Sequence, residues 1–345
     1  MWTIPKHCKD IKQYKKTLDL FKAKKGEEID ELGREEIMKG LEEWGVFKPR
    51  KENTYNKATY GHKILDPHFY GMLYRGKCNG KVHISANGDL LSKYWDDFEK
   101  RRKIFLSMIM NIQFPNPAKP KVPADVRIYP YRLIFELITE EKLDNYLTTD
   151  EIANILYRVK KVETEEEKEE VIQSVILYRA KNRLDKNIEL QKEADSYVRA
   201  EKSLDYTLSV LESIGLTERV KTEDVFEIKR KENVKQKEEK IKSKKVIMKN
   251  EIVEFYKKLQ SKRKATDPIV EKTMYSEWVR QLYNNIADEL IEELGSENLN
   301  ISLMQLPQKL ISASKESDNW QKFEDVLVDA YNVFDDLRSK KIGVN

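Results

Sequence analysis

Apolar residues recur at helical spacing along most of the chain. Over 31–44, Leu32, Ile37, Leu41 and Trp44 form one stripe, and Gly45 stops it. Residues 10–24 also read as helix. In LTTDEIANILYRVKK, 147–161, Thr148 or Thr149 caps a helix that turns Ile152, Ile155, Leu156 and Val159 inward. The acidic run ETEEEKEE suits a helix start, and helix continues through 171–200. In 203–220, Ser203 is read as the cap, Leu204, Leu208, Leu211 and Ile214 as the buried face, and Gly215 as the stop.

The period shortens in two places. HFYGMLYR, 68–75, and KVHI, 81–84, predict a hairpin in which Val82 and Ile84 alternate with Lys81 and His83. A polar turn follows, with Ser85 as cap and Asn87 and Gly88 behind it. Helices are expected at 86–94 and 97–111. Four prolines in 113–125 exclude helix there, and helix resumes over 127–142 with Ile134, Leu137 and Ile138 as core. After Gly215 the run toward VFEIKR gives helix, Gly, strand, turn, strand, the layout of a winged helix. Residues 229–248 hold almost no apolar residue and read as a solvated helix or linker. Residues 250–345 read as helical.

The fold class expected is mainly α with small β-hairpins: tandem helical and winged-helix subdomains followed by a helical linker. The divisions expected are 1–125, 126–228, a charged helical linker at 229–317, and 318–345. With 12 Gly and 10 Pro in 345 residues, a strand-rich sandwich is excluded. Cys8 and Cys78 form no CxxC, so no disulfide framework is expected. The stretch MWTIPKHCKD lacks the apolar core of a signal peptide and no run in the sequence approaches membrane length, so a cytoplasmic location is expected.

Charge changes the picture more. Residues 1–130 hold 26 Lys/Arg against 17 Asp/Glu, whereas the remaining 215 hold 38 against 43. A basic section in an otherwise balanced chain points to a polyanionic partner. Enzymatic motifs are few. His7, His62, His68 and His83 show no zinc spacing, and phosphate loops and nucleophile elbows are absent. TDPIVEK, 266–272, superficially matches PD…(D/E)xK. Its carboxylates are too close in sequence to sit on neighbouring strands around Mg²⁺.

DNA binding suits the residues better. Arg75, Lys77 and Lys81 fall on the first hairpin, and Lys93, Arg101, Arg102 and Lys103 on or between the helices after it, with Tyr70, Tyr74, Tyr94 and Trp95 interleaved. Lys119, Lys121 and Arg127 continue the basic section. Lys202, Tyr206 and Arg219 mark the second helix–strand unit. Basic residues on a wing hold phosphates, while a polar helix face reaches base edges.

The order WTIPKH, GKVHISANGDLL, RRKIFLSMIMNIQFPNP, YPYRLIFELITEEKLDNYLTTDEIANILYRV and YTLSVLESIGLTERV resembles the AlwI-type family of type IIS restriction and nicking endonucleases. The resemblance implies recognition of a short asymmetric site in double-stranded DNA by a monomer. It also implies Mg²⁺-dependent cutting by a PD-(D/E)xK domain. Residues 318–337 are similar to the first helix of that nuclease core, with Glu324 at its helix carboxylate. The strands bearing the other ligands are expected beyond Asn345, in a missing C-terminal nuclease domain or on a separate catalytic subunit. No cofactor is then expected for this chain alone, and Mg²⁺ for the complete enzyme. Two alternatives stay open: a winged-helix transcription regulator without nuclease activity, and a helical scaffold that binds protein.

Overall fold

In this computed structural model the described residues are 1–5, 9–24, 31–45, 67, 69–75, 82–84, 86–110, 112, 114, 123, 125–162, 164–232 and 235–261. They are mainly helical, with one short hairpin and one small sheet. The chain divides into two compact units. The hairpin unit takes Asp10–Ile112, Asn116–Pro120 and Tyr256–Asn345; the ribbon unit takes Met1–Lys9, Gln113–Pro115 and Lys121–Phe255.

The hairpin unit opens with α1, Ile11–Lys22, whose N-cap Asp10 accepts from the Lys12 amide. Its Ile11, Tyr14, Leu18 and Phe21 are buried, the spacing of one helical face. Helix α2, Glu31–Glu43, packs beside it through Ile37, Met38 and Leu41. Trp44, expected in that stripe, is 41% exposed. The helix has already ended, and Gly45 at φ 69° turns the chain. Strands β1, Leu73–Arg75, and β2, Val82–Ile84, pair antiparallel with Leu73 opposite Ile84. The expected hairpin is therefore present.

Helices α3, Ala86–Lys93, and α4, Phe98–Ile109, follow. Asn87 and Gly88, read as a turn, lie inside α3. The glycine has a packing reason: a Cβ on Gly88 would stand 2.1 Å from the Met72 carbonyl oxygen. Only a bare Cα lets the helix approach the end of β1 this closely.

In the ribbon unit, α5, Pro130–Ile138, starts with proline at its first position, where no amide partner is lost. Ile134, Leu137 and Ile138 are fully buried, as expected. Each such side chain contributes about 1.5–3 kcal/mol of apolar burial. Asp144 and Asn145, both at positive φ, turn the chain into β3, Leu147–Thr148. Thr148 and Glu151 then form a reciprocal capping box at the start of α6, Thr149–Asn154. The helix expected to reach 161 stops at 154 and relaxes into a tighter turn over Leu156–Arg158.

Helix α7, Glu165–Ala180, is capped by Thr164 with three glutamates in its first turn. Its Arg179 reaches back to the capping box. The guanidinium meets Glu151 at 2.7 and 3.1 Å and donates to the carbonyls of Leu143 at 2.9 Å and Tyr146 at 2.8 Å. It also lies 4.2 Å over the Tyr146 ring, and Lys245 lies 4.0 Å over the same ring.

Helices α8, Arg183–Lys192, and α9, Ala194–Ser213, follow. Ser203 is not a cap. It lies buried within α9 and donates to the carbonyl of Ile4. Leu204, Leu208, Leu211 and Ile214 are buried, and Gly215 at φ 80° ends the run. The N-terminal segment is pinned against this helix and the turn before α7. Trp2 donates from its amide to Tyr157 O at 2.8 Å and from Nε1 to Val159 O at 2.6 Å.

The largest departure from expectation is at 229–248. Instead of a solvated helix or linker, the chain forms two long antiparallel strands, β4, Thr217–Glu232, and β5, Lys235–Met248. The sheet order is β3-β5-β4. Phe226, Ile228, Ile241, Ser243, Val246 and Met248 are buried while their neighbours face outward. A register shift between Lys221 and Val225 changes the alternation part-way. One face of a ribbon needs few apolar residues, so low hydrophobicity did not exclude strand. Helix α8 closes the outer edge of β4: Asn187 accepts from the Glu227 amide at 3.0 Å, and Gln191 exchanges two bonds of 2.8 Å with the Lys229 backbone. Helix α10, Asn250–Ser261, follows the ribbon in sequence.

Candidate nucleic-acid interface

Among the described residues, the cations singled out in the sequence fall into two groups, one in each unit. In the hairpin unit, Arg75 ends β1 opposite Val82. Lys93 is exposed in the last turn of α3, 5.6 Å over the Tyr94 ring. Asp97 caps α4 by accepting from the Lys100 amide at 3.0 Å, which starts the helix just before Arg101.

Helix α4 divides its cations. Arg101 donates to Trp95 O at 2.6 Å and lies 4.9 Å over the Trp95 ring. Burial pulls its guanidinium below the ordinary value although Asp96, Asp10 and Asp97 act the other way. Arg102 is buried and meets Glu99 at 2.6 Å; Lys103 is buried as well. Lys100 is 3.5 Å from Asp97. This cluster is thus partly neutralised by Asp96, Asp97 and Glu99 beside it. Lys77, Lys81, Lys119, Lys121 and Glu324 lie outside the described residues.

In the ribbon unit, Arg127 is half-buried and bridges to Lys161 through its backbone. Lys202, Tyr206 and Arg219 are brought together around α9 and the root of the ribbon. Arg219 meets Glu212 at 2.8 and 2.6 Å, Asp205 at 2.6 Å and the Ser209 hydroxyl at 3.1 Å. Lys9 pairs with Asp205 and sits 4.7 Å over the Tyr206 ring. Lys202 reaches Glu239 at 3.3 Å, and Arg230 reaches the same carboxylate at 2.7 Å. Arg219 therefore fastens strand to helix; its charge is directed inward.

The electrostatics of this network give a pH dependence. Burial would raise the Asp205 carboxyl, but Lys9 and Arg219 outweigh it and hold it below its usual value. A depressed acid contributes stability that is present above its unfolded value, near 4, and lost as pH falls through the lower folded value. Thermal melts of wild type and Asp205→Asn should therefore differ most near neutral pH and converge as pH drops below about 4. Parallel curves across pH 2–7 would show that the carboxylate contributes nothing by ionisation.

The exposed lysines of the ribbon are candidates not marked by the sequence pattern. Lys229 and Lys240 have side chains 66% exposed, and Lys221, Lys237 and Lys242 are exposed too. The signal available was the alternation VFEIK and IKSKKVIM, hidden by the surrounding charge. Among the described residues no group of three or more His, Cys, Asp or Glu could hold a metal ion. None of their helices is long and apolar enough to cross a membrane.

Residues 1–263 match the family described as "Type II restriction endonuclease HgaI, N-terminal domain". The chain belongs to this family. A curated relative, "Type II restriction enzyme HgaI" of Avibacterium volantium, is 24% identical over 360 residues, covering 99% of this chain and 72% of that protein. The two clusters and the ribbon all lie within the part matched to the HgaI N-terminal family. The expected membership among type II restriction enzymes is met at that level, and the AlwI-type grouping is a finer statement than the match makes.

Proposed function

We propose that this chain provides sequence-specific recognition of double-stranded DNA for a type IIS restriction or nicking endonuclease. In this reading it binds a short asymmetric site as a monomer, in the cytoplasm. The observation that carries it is the family match across 1–263. Two physical features support it: a basic N-terminal section, and a helix, α9, followed directly by the ribbon. Helix-plus-ribbon layouts of the winged type place a helix face toward base edges and basic residues toward phosphates.

Cutting belongs, in the same proposal, to a Mg²⁺-dependent PD-(D/E)xK domain whose helix carboxylate is Glu324, outside the described residues. The described carboxylates do not fit a metal centre, and no step is assigned to them. Selection from random duplexes by electrophoretic shift is the direct test. One short asymmetric sequence should be enriched and bound by a single protein. Enrichment of a palindrome bound by a dimer would favour the transcription-regulator reading. No enrichment over competitor DNA would overturn sequence-specific recognition altogether.

A further inference from the structure

We infer that the β4–β5 ribbon is a phosphate-binding arm, with Lys240 and Lys242 of β5 set against the backbone of duplex DNA. The inference rests on the DNA-recognition reading above. Residues 217–249 hold 12 Lys/Arg against 7 Asp/Glu, a basic island inside residues 131–345, which as a whole are acidic. The island forms no separate surface in sequence terms; folding gathers it on one two-stranded element of 16 and 14 residues. The DNA major groove admits a two-stranded ribbon, and such ribbons are an established way to approach a duplex.

Placement on the ribbon is specific. Phe226 and Ile241 are paired and buried, so the next pairs along, Glu227 with Lys240 and Val225 with Lys242, face the other side. Lys240 and Lys242 are two residues apart on that face, about 6.6–6.8 Å along the strand. Lys242 stands opposite Val225, with no acid across the ladder. Lys240 is 3.2 Å from Glu227, and Lys229 is 4.0 Å from Glu238. Both are solvent-exposed pairs, which are weak and readily exchanged for another anion.

Edge lysines also guard a strand against pairing with another chain. That explanation has less to do on β4, whose edge Asn187 and Gln191 already occupy. On β5, β3 pairs only at Val246 and Lys245, and Thr149 accepts from the Lys244 amide at 3.2 Å. Beyond Lys244 toward the tip, β5 has no further strand beside it among the described residues. The lysine-bearing strand is the open side of the ribbon, where both a guard and a phosphate contact would be placed.

Salt dependence separates the two. Lys240→Gln with Lys242→Gln should leave the preferred site unchanged and lower the slope of log K against log salt by about 2, at roughly 0.9 per phosphate contact. Between 50 and 200 mM salt, wild type should then lose roughly tenfold more affinity than this variant. Lys240→Arg with Lys242→Arg should keep the wild-type slope. Arg183→Gln with Lys192→Gln, removing two exposed charges from α8, should keep it too. An unchanged slope in the Gln variant, with or without new self-association, leaves only the edge-guard role and overturns the arm. An equal drop in the α8 control would show a diffuse charge effect and overturn it as well. Failure of wild type to bind any DNA would overturn both this inference and the reading it rests on.

Discussion

Replacing Arg179 by alanine should destabilise the ribbon unit by about 3–5 kcal/mol, the range for removing one partner of a buried ion pair. Glu151 is 1% exposed and would be left buried with no counter-ion. The carbonyls of Leu143 and Tyr146 would each lose the Arg179 donor in the same step, Leu143 O keeping its 3.3 Å bond from the Tyr146 amide. Burial lowers the Arg179 guanidinium, but its bonds to Glu151 outweigh this and raise it, so the guanidinium stays charged near neutral pH. Arg179→Lys should recover only part of the loss, because an ammonium cannot reproduce the two-pronged contact with Glu151. Urea unfolding measures both variants. A loss below about 1 kcal/mol for the alanine variant would place the pair with ordinary surface contacts.

Trp2→Ala should cost a similar amount, about 3–5 kcal/mol, the range for emptying a buried tryptophan site. The ring is 2% exposed and packs 5.7 Å from Phe114 and 4.7 Å from Tyr157, centroid to centroid. Its Nε1 bond to Val159 O would also be lost, leaving a carbonyl to find water. Trp2→Phe should fall between wild type and alanine, keeping the ring contacts but not the bond. Denaturant unfolding followed by circular dichroism decides. Equal stability of wild type and Trp2→Ala would mean that the N-terminal segment is not part of the cooperative unit.

The helical parts of this fold were legible because their signals are local. Thr148 capping α6, the Leu204–Ile214 face and Gly215 all follow from spacing within one or two turns. Ser203 misled because a hydroxyl before a run of leucines looks like a cap; its partner, Ile4 O, is 199 residues away. The ribbon was hidden for a related reason. Its inward face is completed by Ser243, which donates to the buried Asp150 of α6, so a polar residue occupies a core position. Of the candidate interface, residue types were legible but directions were not. Arg102 and Arg219 look alike in sequence to Lys240, yet the first points to Glu99 one turn back on its own helix and the second to Glu212 on helix α9.

The N-terminal strap has a consequence for synthesis. Trp2 and Ile4 leave the ribosome well ahead of their partners, Tyr157, Val159 and Ser203. At about 5–20 residues per second, the interval before Ser203 is made is roughly 10–40 s. The ribbon unit therefore cannot close around this strap until the chain has been made through Ser203. Residues 10–112, which lie between strap and partners in the chain, emerge and can begin folding before the strap has anywhere to dock. In this unit the strap waits for a partner translated 199 residues later.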